Sequence, residues 1–264
     1  MLSEEELLNG IVIPFDKPRQ WSSFQAVGKV KSAIRQCYNL KKIKIGHAGT
    51  LDPLASGLLL ICVGKATKSI EQLQAGDKVY TGTMALGVTT PCYDLERPIN
   101  GYYPTQHITL DDICQASQKL TGHLSQVPPL FSAVKVAGQR AYRYARLDDP
   151  TAVITPKEVT VHSFQITAFR PGDPSFTPPP IVDSIQPQTG LYKSPLGIVP
   201  EGLPQIDFKI CCGKGTYIRS LARDLGLLLD SGAFLTALRR ESVGSYSVAE
   251  ASTPDTIVDY LKQL

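Results

Sequence analysis

No apolar run in this 264-residue chain approaches the length of a membrane span, and its start carries Glu4-Glu5-Glu6 rather than a basic-then-apolar leader. Cys-x-x-Cys pairs are missing. The six cysteines (Cys37, Cys62, Cys92, Cys114, Cys211, Cys212) and the four histidines are scattered, so a metal site is not expected. Cys62 and Cys211-Cys212 lie in apolar, strand-like surroundings and read as small core residues. A nucleotide phosphate loop is also lacking. Gly64-Lys65-Ala66-Thr67 has alanine where Ser or Thr is needed, and Gly57 is wrongly spaced for the leading glycine. Internal repeats are absent. These absences lead to the expectation of a reduced cytoplasmic protein with no membrane segment and no metal site.

Acidic residues are missing from three intervals, although the formal net charge is only +3. Between Asp16 and Asp52 stand Lys17, Arg19, Lys29, Lys31, Arg35, Lys41, Lys42 and Lys44 without one carboxylate. Ser132 to Leu147 holds Lys135, Arg140, Arg143 and Arg146, interleaved with Tyr142 and Tyr144. Phe208 to Arg223 holds Lys209, Lys214, Arg219 and Arg223. Three basic tracts in a nearly balanced chain point to a positive face and a polyanionic partner.

Hydrophobic content of 42% and charged content of 19% are those of a globular domain. Ile11 to Phe15 reads as a first strand. Trp21-Ser22-Ser23 then caps a helix whose core side is expected to carry Phe24, Val27, Val30 and Ile34. Further strands are expected at Leu58–Val63, Lys78–Leu86, Lys157–Phe169, Gln205–Cys212 and Leu235–Val243. Helices are expected from Ala66 to about Gln74, from Leu110 to near Gly122, from Thr216 onward and from Thr253 to the end. Pro171 to Pro204 holds nine of the 20 prolines and reads as an extended or disordered insertion. Strands and helices mix without a strict β-α-β rhythm. The expected class is α+β, with a mixed, mostly antiparallel sheet flanked by helices and loops.

Two stretches carry candidate chemistry. In Gly46-His47-Ala48-Gly49-Thr50-Leu51-Asp52-Pro53 a carboxylate stands among turn residues just before a buried strand, and the glycines and proline argue against a regular helix or a central strand within the motif itself. Asp52 is either a turn cap or a reactive group held on a stiff loop. In Gly215-Thr216-Tyr217-Ile218-Arg219 the arginine falls in the first turn of a helix. There a cation opposes the helix dipole, so Arg219 is either an exposed residue that aids helix propensity or one with an anionic ligand or a buried carboxylate beside it.

The ordered set of motifs resembles the TruB-type tRNA pseudouridine synthases. The set comprises residues Gly46 to Gly57, Asp16-Lys17-Pro18, Lys78-Val79-Tyr80, Gly213 to Arg219 and Leu238-Arg239-Arg240. The resemblance covers roughly residues 10 to 250. It implies a pseudouridine synthase-like fold that isomerises the T-loop uridine of tRNA at position 55, without metal or cofactor, and that also acts as a tRNA-folding helper through the T arm. It gives Asp52 the role of nucleophile, Tyr80 that of stacking on the target base, and Arg219 that of ion-pair partner of Asp52. Tyr217 and Leu238 line the base pocket. His47 fills the gap left by the departing base, Lys17 is a basic residue near the pocket, and Arg143 lies in a thumb-like insertion that grips the T arm. The implied organisation is a catalytic domain over 1–250, with the thumb at about 124–152 and the Pro-rich insertion at about 171–204. A short helix or tail follows over 251–264 in place of a full PUA domain. A monomer is expected. The competing readings are a non-catalytic RNA-binding module on the same scaffold and a guide-RNA-dependent synthase related to dyskerin.

Overall fold

The computed structural model describes residues 3–40, 42–132, 134–136, 139–140, 154–178 and 199–264. In chain order these form α1 (Glu4–Asn9), β1 (Ile11–Lys17), α2 (Ser23–Tyr38), β2 (Ile45–Ala48), β3 (Ser56–Val63), a 3-10 turn (Gly64–Ser69), α3 (Ile70–Ala75), β4 (Lys78–Leu86), β5 (Val88–Thr89), β6 (Gly101–Tyr102), α4 (Leu110–Lys119) and β7 (Gly122–Gln126). There follow β8 (Lys135–Val136), β9 (Gln139–Arg140), β10 (Lys157–Arg170), β11 (Gln205–Cys212), α5 (Ile218–Leu228), β12 (Ala233–Val243), β13 (Tyr246–Ser247) and α6 (Ile257–Gln263). Residues 1–81 with 238–264 make one compact unit and residues 82–237 a second, the chain passing from one to the other within β4 and β12.

The first unit is built on β3. Leu58 to Val63 are all fully buried, the continuous apolar run that a strand covered on both faces requires. β1 pairs antiparallel along one edge of β3, with Ile11 opposite Val63 and Lys17 opposite Gly57. β2 pairs antiparallel with the far half of β3, and β12 runs parallel to its near end through Arg239–Ser56 and Arg240–Gly57. One face packs Ala48, Leu58, Leu60, Cys62 and Val243 against Ile70, Leu73 and Tyr246. α2 starts on a capping box between Ser22 and Gln25, and its end meets α6, where the Tyr38 hydroxyl donates to the Leu261 carbonyl at 3.2 Å.

In the second unit the strand order is β12-β4-β11-β10-β7. β10 pairs antiparallel with both β11 and β7, with register shifts near Val161 and Ile166. Gly82 is obligatory here, since a Cβ would sit 2.3 Å from the Ala237 carbonyl oxygen. α5 buries the expected stripe Ile218, Leu221, Ala222 and Leu225.

Several expectations change. The α2 core stripe is Ala26, Val30, Ala33 and Ile34. Phe24 lies about 200° around the helix from Ala26 and is 83% exposed. Gly46 and His47 lie in β2, an unexpected short strand that pairs with β3, although as an edge strand it is compatible with the argument against a central one. The helix expected from Ala66 divides into the 3-10 turn and α3. The described ends of the Pro-rich stretch are ordered: the Asp173 amide donates to the Gly202 carbonyl at 2.8 Å, and Phe176 packs on Tyr102. Its residues 179–198, Lys41 and the thumb residues 141–153 with Arg143 lie outside the described residues.

Candidate active site

The Asp52 loop belongs to the first unit and is clamped from several directions by polar groups. Ser23, in the first turn of α2, accepts from the Leu51 amide at 2.9 Å and donates to the Leu51 carbonyl at 3.0 Å. Ser23 and Leu51 are both buried, so this one hydroxyl satisfies both backbone polar groups of the residue preceding Asp52. The Gln20 amide donates to the Pro53 carbonyl at 2.7 Å, and the Ala55 amide to the Asp52 carbonyl at 3.1 Å. The buried Arg240 guanidinium donates to Gly49 O at 3.1 Å and Leu58 O at 2.7 Å, pinning both sides of the loop. Its backbone needs Gly57, which has φ +102° and no room for a side chain: a Cβ would lie 2.3 Å from Arg240 O.

The Lys17 ammonium is buried beneath this loop and donates to the carbonyls of Trp21 (2.6 Å), Pro18 (3.0 Å) and Pro53 (3.4 Å). Burial lowers its pKa to about 8, opposed by the negative charge of Asp52. Lys17 therefore feels Asp52 directly, while Asp52 itself stays half-exposed at the surface of the loop. His47, on β2, is held below its ordinary pKa by burial and by the Arg240 charge, with a backbone hydrogen bond at Gly49 acting in the opposite direction. Tyr80 on β4 is buried, and Leu238 on β12 is half-buried. Next to Leu238, Arg239 forms a two-pronged pair with Asp16 at 2.7 and 3.1 Å. A cleft of about 390 Å³ in this unit is lined by Lys42, Lys44, Lys65 and Lys68.

The second unit holds Tyr217 and Arg219. Gln126, buried at the end of β7, accepts from the Tyr217 amide at 2.8 Å and donates to its carbonyl at 3.2 Å, fixing the backbone at the entry to α5. Arg219 is 5% exposed. It donates to Cys92 O at 3.1 Å and Phe131 O at 2.9 Å, and its Nε lies 3.7 Å from Asp94 Oδ2. The carboxylate expected near this misplaced helix-start cation is thus present in its own unit as Asp94. Asp94 is in turn held by the Glu96 amide at 2.9 Å.

A half-exposed carboxylate on an over-determined loop can attack an electrophilic carbon without reorganising its support. A matching family model, the N-terminal domain of the TruB family of pseudouridylate synthases, covers residues 35–178. The chain belongs to the TruB family. The tRNA pseudouridine synthase B of Flavobacterium johnsoniae is 44% identical, covering 95% of each chain, and that of Phocaeicola vulgatus is 41% identical, covering 96% of this chain and 94% of its own. Among solved structures, a Cbf5-Nop10-Gar1 complex matches with TM-score 0.63 and 26% identity over 98% of this chain and 56% of that one. An H/ACA ribonucleoprotein bound to substrate RNA matches with TM-score 0.60 at 23% identity, a likeness of fold. The chain spans little more than half the length of those solved chains.

Family motifs thus lie on both units: Lys17, His47, Asp52, Tyr80 and Leu238 on the first, Tyr217 and Arg219 on the second. The structure ties Lys17 to the Asp52 loop and gives Arg219 the partner Asp94. Sequence reasoning passed over Ser23, Gln126, Asp94 and the clamping role of Arg240. Arg240 stood inside a quoted motif; Asp94 sat in a turn-rich segment with no periodic signal.

Proposed function

We propose that this chain is a tRNA pseudouridine synthase that isomerises the T-loop uridine at position 55 to pseudouridine, with Asp52 as nucleophile. What carries the reading is the Gly46–Gly57 motif, held by Ser23, Arg240 and Lys17 so that Asp52, the loop's single acid, is offered to a ligand. The relatives bear the name tRNA pseudouridine synthase B.

The reaction breaks the uridine C–N glycosidic bond, turns the uracil and rejoins it through carbon. The target must leave its stack, at a cost of a few kcal/mol. Stacking on Tyr80 returns about 1–3 kcal/mol, so the flipped state becomes accessible rather than dominant. His47 filling the vacated place in the loop supplies the remainder, and Tyr217 and Leu238 line the base pocket. The ion-pairing role that the motif gives Arg219 toward Asp52 is part of the proposal. Lysines 42, 44, 65 and 68, with Arg143 in the thumb tract, supply sequence-independent phosphate contacts to the T arm. The chain acts as a cytoplasmic monomer, and T-arm binding without turnover would let it serve as a tRNA-folding helper.

Asp52→Asn tests this. It keeps size and shape, removes the charge and most nucleophilicity, and relieves repulsion between a carboxylate and RNA. The variant is expected to bind a T-arm RNA at least as tightly as wild type in a filter assay and to release no tritium from 5-tritiated uridine. Turnover near the wild-type rate would remove Asp52 from the chemistry. A wild-type protein that binds but never releases tritium would establish the binding-module reading instead.

A further inference from the structure

Among the described residues, four other than glycine hold a left-handed backbone: Gln20, Asn39, Tyr93 and Asp230. Asn39 caps α2 and Asp230 follows the end of α5, and both are of types that tolerate this region. Tyr93, with φ +59°, is a bulky residue for which it is strained. Such strain persists where the surroundings over-determine it, and here they do. The Tyr93 amide donates to Thr90 O at 3.1 Å, and its carbonyl accepts from the Leu235 amide at 3.0 Å. The Thr90 hydroxyl donates to Asp94 O at 2.7 Å. The Tyr93 ring is covered by Arg223, whose guanidinium carbon lies 5.6 Å from the ring centroid and whose Nε donates to Asp224 Oδ1 at 2.7 Å.

The two neighbours of Tyr93 meet one cation. Cys92 O accepts from Arg219 Nη1 at 3.1 Å, and Asp94 Oδ2 lies 3.7 Å from Arg219 Nε. In an extended chain a carbonyl lies in the plane of the strand while side chains stand out of it. The reversal at Tyr93 is what brings the carbonyl before it and the carboxylate after it to the same guanidinium. Arg223 stands four residues after Arg219, on the same face of α5. The helix therefore grips this turn twice, through Arg219 on its acceptors and through Arg223 on its ring. Glycine would take the same φ at no steric cost, so what tyrosine adds is the ring that Arg223 holds. We propose that Tyr93 is a positioning residue which, locked by Arg223, sets the orientation of the Arg219 guanidinium for the reaction. This rests on the synthase reading, in which Arg219 serves Asp52.

The test uses the full chain with 15N-labelled arginine, the Nε–H resonance of Arg219 being identified as the one lost in Arg219→Lys. Tyr93→Ala and Arg223→Met are each expected to shift or broaden that resonance and to lower kcat for tritium release about 10- to 100-fold, with KM held. Tyr93→Phe keeps the ring face and is expected to keep both readouts. Because the two side chains act through one contact, the double variant is expected to be no slower than Tyr93→Ala alone. A lower melting temperature accompanies a structural role as well, so the resonance and kcat carry the test. A wild-type Arg219 resonance and wild-type kcat in Tyr93→Ala would overturn the proposal. Tyr93→Phe failing as far as alanine would overturn it too, since the covered ring would then not be the lock. A rise in KM at constant kcat would make the ring an RNA contact and end the positioning role. If wild type releases no tritium, the synthase reading falls, and the resonance in Tyr93→Ala alone decides whether Tyr93 orients Arg219.

Discussion

Removing the Ser23 hydroxyl deletes one atom from the structure and leaves two backbone groups of Leu51 without partners. Ser23 is 4% exposed and Leu51 3%, so water cannot replace the lost bonds without opening the site. Leaving buried donors and acceptors unpaired costs about 1–3 kcal/mol, which corresponds to a fall in melting temperature of roughly 2–10 °C for a chain of this size. The functional effect follows separately. Leu51 adjoins Asp52, and a displacement of about 1 Å at a reacting group lowers rates on the order of 100-fold. Ser23→Ala is therefore expected to reduce kcat for tritium release roughly 10- to 100-fold at 25 °C, with T-arm affinity held. Ser22→Ala is the control. It removes the N-cap of the same helix, costing about 1 kcal/mol, but its side-chain hydrogen bonds go to Gln25 and not to the Asp52 loop. If Ser22→Ala and Ser23→Ala lose stability alike and both keep wild-type kcat, the clamp supports the fold alone and the positioning argument fails. If Ser23→Ala melts with wild type, the two bonds are not worth what burial implies.

Two further outcomes follow from the same unit. Gly57→Ala combines a positive φ with a Cβ 2.3 Å from Arg240 O and 2.7 Å from Arg240 N, both backbone atoms, so it should lose more than about 3 kcal/mol; a cooperative melt near the wild-type temperature by circular dichroism would refute this. Lys17 is depressed to about 8 by burial against an unfolded value near 10.5, so between these values the unfolded chain binds more protons and stability rises with pH. At about 1.4 kcal/mol per pH unit the gain is a few kcal/mol. The buried thiols of Cys62 and Cys92, raised to about 11 and 12, act in the opposite direction above pH 9, so the measurement is the difference between wild type and Lys17→Met in urea unfolding from pH 7 to 10.5. A pH-independent difference would show that Lys17 does not titrate there.

The strands were legible because burial on both faces or alternation imposes a pattern that few other structures share. β4 and β11 fall where the apolar spacing places them, and β3 starts only two residues before its apolar run. Edges and faces were less legible. Phe24 was assigned to the core of α2 from its hydrophobicity, whereas small residues, Ala26 and Ala33, hold the buried side. Alanine carries little weight in a periodicity count, yet it allows a helix to approach a sheet closely. β2 was missed for the converse reason. Gly46 and the nearby Gly49 argue against a central strand, but an edge strand four residues long needs only one ladder.

The site divides along a similar line. Of the residues proposed to meet a ligand, Asp52 stands out because a carboxylate among turn residues is unusual for the local pattern, whereas Tyr80 is marked by the family motif alone. The residues that hold them do not. Ser23 looks like a routine helix-start serine, and only its burial against Leu51, 28 positions away, makes it a clamp. Asp94 is invisible in the same way. A cation in the first turn opposes the helix dipole, so the sequence leaves Arg219 either an exposed residue or one that requires a carboxylate or an anionic ligand beside it. That requirement is met 125 residues upstream, in a turn with no periodicity, by a side chain 7% exposed. Local electrostatics therefore predicted the need for a partner but carried no information on its address, since the pairing depends on how the 90–97 turn and the Phe131 carbonyl close around the start of α5. A partner supplied by the fold also constrains the chemistry. Arg219 is already held by two carbonyls and a carboxylate, which fix the orientation of its guanidinium at the start of α5.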